Sequence, residues 1–193
     1  RGQVSRQVRD NLFSLSHLDE LKGLTFETFQ PRGRKGLGAG QANSLEWAYN
    51  RARQYAASLN GWLLLQGGFG CGKTHLAAAV ANAAVNMGVP TLFLTAPDLL
   101  DSLRFAYDTR GVTFEERFEA VRTVPFLVLD DLGTQNATDW AQEKLFQIIN
   151  YRYINKLPLL VTMNLDMDEI DSRIRSRLSD PELVSAVHIN ASD

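Results

Sequence analysis

Short apolar runs alternate along this chain with stretches whose apolar positions recur at helical spacing. Trp62-Leu63-Leu64-Leu65 reads as a buried strand, and after a glycine-rich interruption Leu76, Ala77, Val80, Ala84 and Met87 fall on one face of a helix. Ahead of that strand, Leu45, Ala48, Tyr49, Ala52 and Leu59 share the apolar face of an earlier helix, with Ser44 suited to cap its start and Asn60-Gly61 to stop it. Gly88-Val89-Pro90 breaks the chain before a second strand, Thr91 to Thr95. Ala96-Pro97-Asp98 then opens a helix from Leu99 to about Tyr107, and Thr113 with Glu116 makes a capping box for another that reaches Arg122. The run Pro125 to Leu129 is apolar on both faces until it ends in Asp130-Asp131, as a central parallel strand covered by helices reads. A helix from Asp139 to about Ile154 buries Trp140, Leu145, Ile148, Ile149 and Tyr153. Pro158 to Asn164 is a fourth strand, a helix follows near Asp168–Leu178, and Val184 to Ile189 is a fifth strand. Short crossovers without internal repeats predict a three-layer α/β sandwich around a five-stranded parallel sheet.

The glycine-rich interruption carries the first chemistry. Gly67-Gly68-Phe69-Gly70-Cys71-Gly72-Lys73-Thr74 matches the phosphate-binding loop G-x-x-x-x-G-K-T, and it sits between a strand and a helix as that loop requires. The glycines let the backbone curl so that successive N–H groups point at phosphate oxygens, and the helix that follows adds its unpaired donors and positive end. These residues, with the adjoining His75, are the candidate nucleotide contacts. Lys73 is placed to reach the β- and γ-phosphates, and the Thr74 hydroxyl to ligate Mg²⁺.

Phosphoryl chemistry also needs an acidic group near Mg²⁺ and a group that orients the attacking water. Asp130 and Asp131 supply both at the carboxyl end of a strand, the edge where ligands bind in open parallel sheets. Asp130 is expected to hold Mg²⁺ through water, since Mg²⁺ dehydrates reluctantly. Asp131 is expected to take a proton from, or orient, the lytic water. Asn164 ends the fourth strand at the same edge, where an uncharged donor can bond the γ-phosphate or the water, although an asparagine after a strand is by itself an ordinary turn residue.

Composition changes this picture little. A length of 193 residues suits one domain with an appended arm, read as residues 1–43 before a core of 44–193. Residues 1–22 mix arginines with Leu12, Phe13, Leu15 and Leu18, compatible with a short helix, a frayed tail or a connection to another domain. The glycine- and arginine-rich stretch 31–40 is either a solvated linker or a phosphate contact. A net charge of -2 excludes a wholly basic nucleic-acid binder, so any DNA contact must come from a local patch. The single cysteine excludes an internal disulfide, in keeping with a cytoplasmic location, and no apolar run approaches a membrane span. The chain opens on Arg1 and not on methionine, which points to a piece of a longer protein.

Together, the phosphate-binding loop, Asp130-Asp131-Leu132-Gly133, Val161-Thr162-Met163-Asn164 and Arg173 to Leu178 resemble the AAA+ ATPases. With Ala96 to Leu100 and Ile148 to Tyr153, the chain is similar to the DnaC/DnaI helicase loaders and the related IstB transposition helpers over roughly residues 24–193. The resemblance implies ATP and Mg²⁺ as cofactors, a sensor role for Asn164, and an arginine finger at Arg173 with Arg177 in reserve, acting on a neighbouring subunit in an oligomer or filament. A helical lid with a further sensor arginine is not visible, so the lid is absent or trimmed. Many AAA+ proteins have Asp-Glu where this chain has Asp130-Asp131, and the shorter side chain suggests slow turnover.

The resemblance further implies single-stranded DNA and the replicative helicase as partners, with a DNA-touching helical element between Leu99 and Arg122. Arg104, Arg110, Arg117 and Arg122, interleaved with Phe105, Tyr107, Phe114 and Phe118, are the candidate contacts, though carboxylates offset much of the charge. Rival readings are a transposase helper, a small-metabolite kinase, for which no arginine-bearing lid or acceptor pocket is visible, and a nucleotide-dependent binding module with negligible hydrolysis. Adenine preference is inherited from the family, with Phe26 or Phe29 available to flank the base.

Overall fold

Consecutive apolar residues along a strand place side chains on both faces of a sheet, and such strands are stable only between two helical layers. The computed structural model describes residues 16–33, 36–105, 113–133, 138–164 and 166–191, and it has this architecture. Its elements in chain order are α1 (Ala39–Ser58), β1 (Trp62–Gly67), α2 (Lys73–Asn86), β2 (Thr91–Thr95), α3 (Ala96–Phe105), α4 (Phe114–Thr123), β3 (Phe126–Asp130), α5 (Asp139–Ile154), β4 (Leu159–Met163), α6 (Ser172–Leu178) and β5 (Val184–Ile189). Short 3₁₀ turns occupy His17–Asp19 and Met167–Glu169.

The sheet runs β2-β3-β4-β1-β5, and every recorded pairing is parallel. Inserting β4 between β1 and β3 decides the chemistry, because it sets the end of β4 between the phosphate loop and the acidic strand. On one face, α1 and α2 pack against Leu63, Leu65, Phe93, Phe126, Val128 and Leu160. On the other, α3 to α6 cover Leu64, Leu92, Leu94, Leu127, Leu129 and Val161. Among the described residues no helix is long and apolar enough to cross a membrane.

The elements differ from the sequence expectation in three places. α1 starts at Ala39, with Gly38 at the cap and the Gln41 side chain accepting the Gly38 N–H. Ser44 therefore lies inside the helix, where its hydroxyl donates to the Gln41 carbonyl and accepts the Asn190 N–H, tying α1 to the exit of β5. The helix expected near Asp168–Leu178 is split: a 3₁₀ turn ends at Glu169, Ile170 is extended, and Asp171 caps a fresh start for α6. Trp140 and Tyr153 are half-buried at the edge of the α5 interface, and Met87 lies exposed just beyond α2.

Residues 16–33 form no regular element beyond the 3₁₀ turn, yet they are fastened along α2. The Ser16 hydroxyl accepts the Phe93 N–H and donates to the Phe93 carbonyl at the edge strand β2. Asn82 donates to the carbonyls of Leu21 and Leu24, both at 3.0 Å. Phe29 stacks on Tyr49 and meets the His75 ring edge-on.

Candidate functional site

The turn from β1 into α2 is built on left-handed glycines. Gly70 (φ 71°) and Gly72 (φ 96°) hold the reversal, and a Cβ on Gly72 would stand 3.1 Å from the Phe29 ring. A side chain at either position would be strained whatever the space around it. The turn places Lys73 and Thr74 in the first turn of α2, at its positive end. Lys73 is 7% exposed, and its Nζ donates to the carbonyls of Gly67 at 2.9 Å and Gly68 at 2.6 Å. It has no carboxylate partner among the described residues. Apart from these carbonyls its Nζ meets the Cys71 sulfur, and Asp130 is near enough to feel its charge without pairing with it. A buried ammonium with no direct ion pair is suited to an anion in the loop. Phe69 at the loop tip is 80% exposed, while the Cys71 thiol is buried.

Across the sheet edge, Asp130 ends β3 and is buried. The Thr74 hydroxyl lies 3.0 and 3.1 Å from its two carboxylate oxygens. Burial pushes the Asp130 carboxyl above its ordinary value, against the hydrogen bonds of Thr162 and Thr74, which favour the charged form. One hydroxyl and one carboxylate make an incomplete protein cage, and among the described residues no group of three His, Cys, Asp or Glu side chains is placed to hold a metal ion. That donor set fits Mg²⁺, which binds through one or two protein oxygens together with substrate phosphates and water.

Asp131 takes a left-handed conformation (φ 56°), uncommon for a residue other than glycine and costing about 1–3 kcal/mol. Its carboxylate accepts the Asn164 side-chain N–H at 2.7 Å, so the two residues expected to act on water are in direct contact. The backbone is held by a residue that the sequence places in a motif without giving it a role. Thr162, 1% exposed in β4, donates its hydroxyl to Asp130 Oδ1 at 2.6 Å and accepts the Asp131 N–H at 2.9 Å. The available signal was a lone hydroxyl within the apolar run Leu159 to Met163, since a buried hydroxyl must find partners.

Beside Gly70–Gly72 a cleft of about 530 Å³ opens between the phosphate loop and residues 28–33 and 36–41. Thr28, Phe29, Gln30, Leu37, Leu45 and His75 are among its lining side chains, and among the described residues none of the lining carries a carboxylate or ammonium group. Phe29 belongs to this wall, whereas Phe26 packs edge-on against Tyr49. The His75 ring sits 3.0 Å from the Thr25 carbonyl and 3.2 Å from the Thr28 hydroxyl through Nε2.

The five-stranded parallel sheet with its helices has the AAA+ P-loop fold. The family model described as IstB-like ATP binding protein matches residues 42–188. This chain belongs to the IstB-like family of ATP-binding proteins. The replicative helicase loader DnaC of Escherichia coli (strain K12) is 28% identical over 144 residues, 73% of this chain and 57% of that protein. The replicative helicase loader DnaI of Bacillus subtilis (strain 168) is 30% identical over 109 residues, 56% of this chain and 34% of that protein. This IstB-like chain thus spans little more than half the length of the first of these relatives. In fold it matches a crystal structure of the DnaC helicase loader with a TM-score of 0.73 at 24% identity, over 89% of this chain and 99% of that one. It also matches a replication initiator DnaA bound to AMPPCP and single-stranded DNA with a TM-score of 0.71 at 23% identity, over 88% and 50% of the two chains.

The remaining candidates that the structure describes have their contacts with other residues than those of this site. Arg173, at the start of α6, bonds Glu143 at 2.8 Å and Asp171 at 3.2 Å and lies over the Phe146 ring. Arg177, one turn on, bonds Asn150 and lies over Tyr153. Arg104 pairs with Asp101 at 3.0 Å and covers Trp140. Arg117 donates to the Ser102 carbonyl at 2.7 Å, bridging α4 to α3, and burial lowers its pKa. Arg122 pairs with Glu119 and lies over Tyr151. Arg110 and Tyr107 lie outside the described residues.

Proposed function

We propose that this chain is the ATPase module of a helicase loader of the DnaC/DnaI kind, binding and slowly hydrolysing MgATP and coupling nucleotide state to self-association and to single-stranded DNA. The observation that carries the ATPase part is the meeting of the Thr74 hydroxyl, the Asp130 carboxylate and the Asp131–Asn164 pair at one edge of the sheet, beside a buried, unpaired Lys73. Lys73 exchanges its carbonyl contacts for phosphate oxygens. Thr74 and Asp130 would hold Mg²⁺, which would neutralise phosphate charge when bound. Asp131 receives the proton of the attacking water, and Asn164 holds Asp131 and the water in register. The cleft beside the Phe29 ring suits a purine base, and membership of the IstB-like ATP-binding family supports adenine.

Arg173 has its polar partners in Glu143 and Asp171, apart from its own chain's phosphate loop. Its side chain is partly exposed, and to act on a neighbouring copy it would exchange these carboxylates for the γ-phosphate, where a guanidinium stabilises developing charge. The helicase partner, the DNA contacts and a cytoplasmic setting rest on the relatives named as replicative helicase loaders. Arg104, Arg117 and Arg122 support DNA binding less directly, since each is engaged within the helical layer.

The test is ATP hydrolysis with and without single-stranded DNA, by the unaltered chain, by Arg173→Ala, by Lys73→Ala, and by an equal mixture of the two variants. Each variant alone is expected to bind or hydrolyse poorly, and the mixture to regain activity because one copy supplies the finger and the other an intact loop. Hydrolysis that is indifferent to concentration, DNA and Arg173 would favour a monomeric P-loop enzyme instead.

A further inference from the structure

We infer that Thr162 is the positioning residue that holds the two catalytic carboxylates in their relative orientation, an inference that rests on the ATPase reading above. Thr162 stands in β4 beside Leu65 of β1, one step beyond the last recorded β3–β4 pair, Leu129 with Val161. The strand face it shares with Leu160 is otherwise apolar and covered by α1 and α2. A hydroxyl at that place is fully enclosed, and both of its hydrogen-bonding capacities are spent on the acidic strand end. Its proton goes to Asp130 Oδ1 at 2.6 Å, and its lone pair takes the Asp131 N–H at 2.9 Å. The Thr162 carbonyl takes the next N–H, that of Leu132, at 2.9 Å. Three consecutive residues of the strand exit are thereby fastened to one residue of β4.

This arrangement explains the left-handed Asp131. Past Asp130 the regular ladder would send residue 131 along the strand. Here the side-chain hydroxyl replaces the backbone carbonyl as partner of the Asp131 N–H, and the carbonyl serves residue 132 instead. The chain must turn between them, and the turn at φ 56° leaves the Asp131 carboxylate against Asn164. The same hydroxyl fixes the oxygen of Asp130 that also faces Thr74. Thr162 touches neither nucleotide phosphate nor water in this account. It acts through Asp130 and Asp131, so its loss should lower kcat while nucleotide affinity persists.

Thr162→Val keeps the branched shape and removes the hydroxyl, whereas Thr162→Ser keeps the hydroxyl and removes a methyl group. Three quantities are read for each: kcat and KM for MgATP, equilibrium binding of a fluorescent ATP analogue, and amide hydrogen exchange at Asp131 and Leu129 without nucleotide. In Thr162→Val, kcat is expected to fall about 100-fold, the scale of a displaced catalytic group, with KM and analogue affinity within about threefold. The Asp131 amide should exchange about tenfold faster, as the loss of one hydrogen bond implies, with Leu129 unchanged. Thr162→Ser should recover both kcat and protection. If Thr162→Val gives no cooperative thermal melt, Thr162→Cys, with a thiol of similar size and weak donor strength, replaces it in the same comparison. Equal activity in Val and wild type, or equal loss in Val and Ser, overturns the inference while leaving the ATPase reading intact. An unaltered chain that neither binds nor hydrolyses MgATP overturns the ATPase reading, and this inference with it.

Discussion

Arg152 shows how one residue can be held against a large cost. It is wholly buried in α5 and has no carboxylate partner among the described residues. Burial of the cation pushes its pKa down to about 10, so it remains charged at neutral pH. What holds it is four carbonyls: those of Arg122, Val124, Pro125 and Pro158, at 2.5 to 3.2 Å. These lie where the chain enters β3 and β4, and the prolines there have no N–H of their own to offer a sheet partner. A planar group with five donors can answer all four carbonyls at once, one more than the three donors of an ammonium allow. Arg152→Met, similar in length, should lose about 3–5 kcal/mol of stability, because the carbonyls stay buried without donors. Urea unfolding measures it, and a loss below about 1 kcal/mol would mean that water reaches these carbonyls. The position was visible in the sequence only as part of the run Ile148 to Tyr153, since nothing local distinguishes a solvated arginine from one that spans 30 residues to Arg122.

Among the elements, α6 depends most on a single side chain. It is seven residues long, too short to persist on propensity alone, and Asp171 both caps and loads it. One Asp171 oxygen accepts the N–H groups of Arg173 and Ile174, while the carboxylate also binds the Arg173 guanidinium. Burial raises the Asp171 carboxyl, but the Arg173 side chain and the two backbone donors outweigh it and bring the pKa below the ordinary 3.8. A lowered carboxylate pKa means that its contribution is complete above the ordinary value and is lost as the pH falls through the lowered one. The start of α6 should therefore be protected at neutral pH and fray only in strong acid. Asp171→Ala should fray it at every pH, at a cost of about 1 kcal/mol, and remove the acid dependence of the Ile174 amide. An Ile174 amide equally protected in both proteins would sink this account. The same region shows what a sequence conceals. Strands and α5 were legible because long apolar patterns override local choices, and α5 runs over Asp139–Ile154 as its periodicity implies. The break at Ile170 and the start of α1 at Gly38 depend on competing caps, Asp166 against Asp171 and Gly38 against Ser44, which are resolved only by packing.

At the scale of the molecule, the phosphate loop, Asp130, Asp131 and Asn164 could be picked out as candidates because each lies at the end of a recognisable strand, whereas Arg173 in α6 came only from the family resemblance. The role of residues 16–33 was not legible, because they form side-chain contacts with partners as far as 81 positions away and no periodic pattern. They run from the β2 edge, where Ser16 meets Phe93 and His17 meets Asp98 at 2.9 Å, along α2 to the wall of the nucleotide cleft. His75 joins the two structures directly: it follows the Mg²⁺-ligand candidate Thr74 and holds the Thr25 carbonyl. A nucleotide that needs the wall in place must favour the docked segment, and the docked segment must favour the nucleotide by the same factor. Asn82 is the place to test this reciprocity, since it anchors the segment at Leu21 and Leu24 and lies two turns away from the loop. Asn82→Leu should weaken binding of a fluorescent ATP analogue by about five- to tenfold, at the lower end of ordinary coupling, without altering the phosphate loop. Amides of residues 21–29 should exchange faster in the variant and recover when the analogue is present in excess. Faster exchange with unchanged affinity would show that the segment covers α2 and has no bearing on the nucleotide. Weaker affinity with unchanged exchange would place the effect within α2 itself.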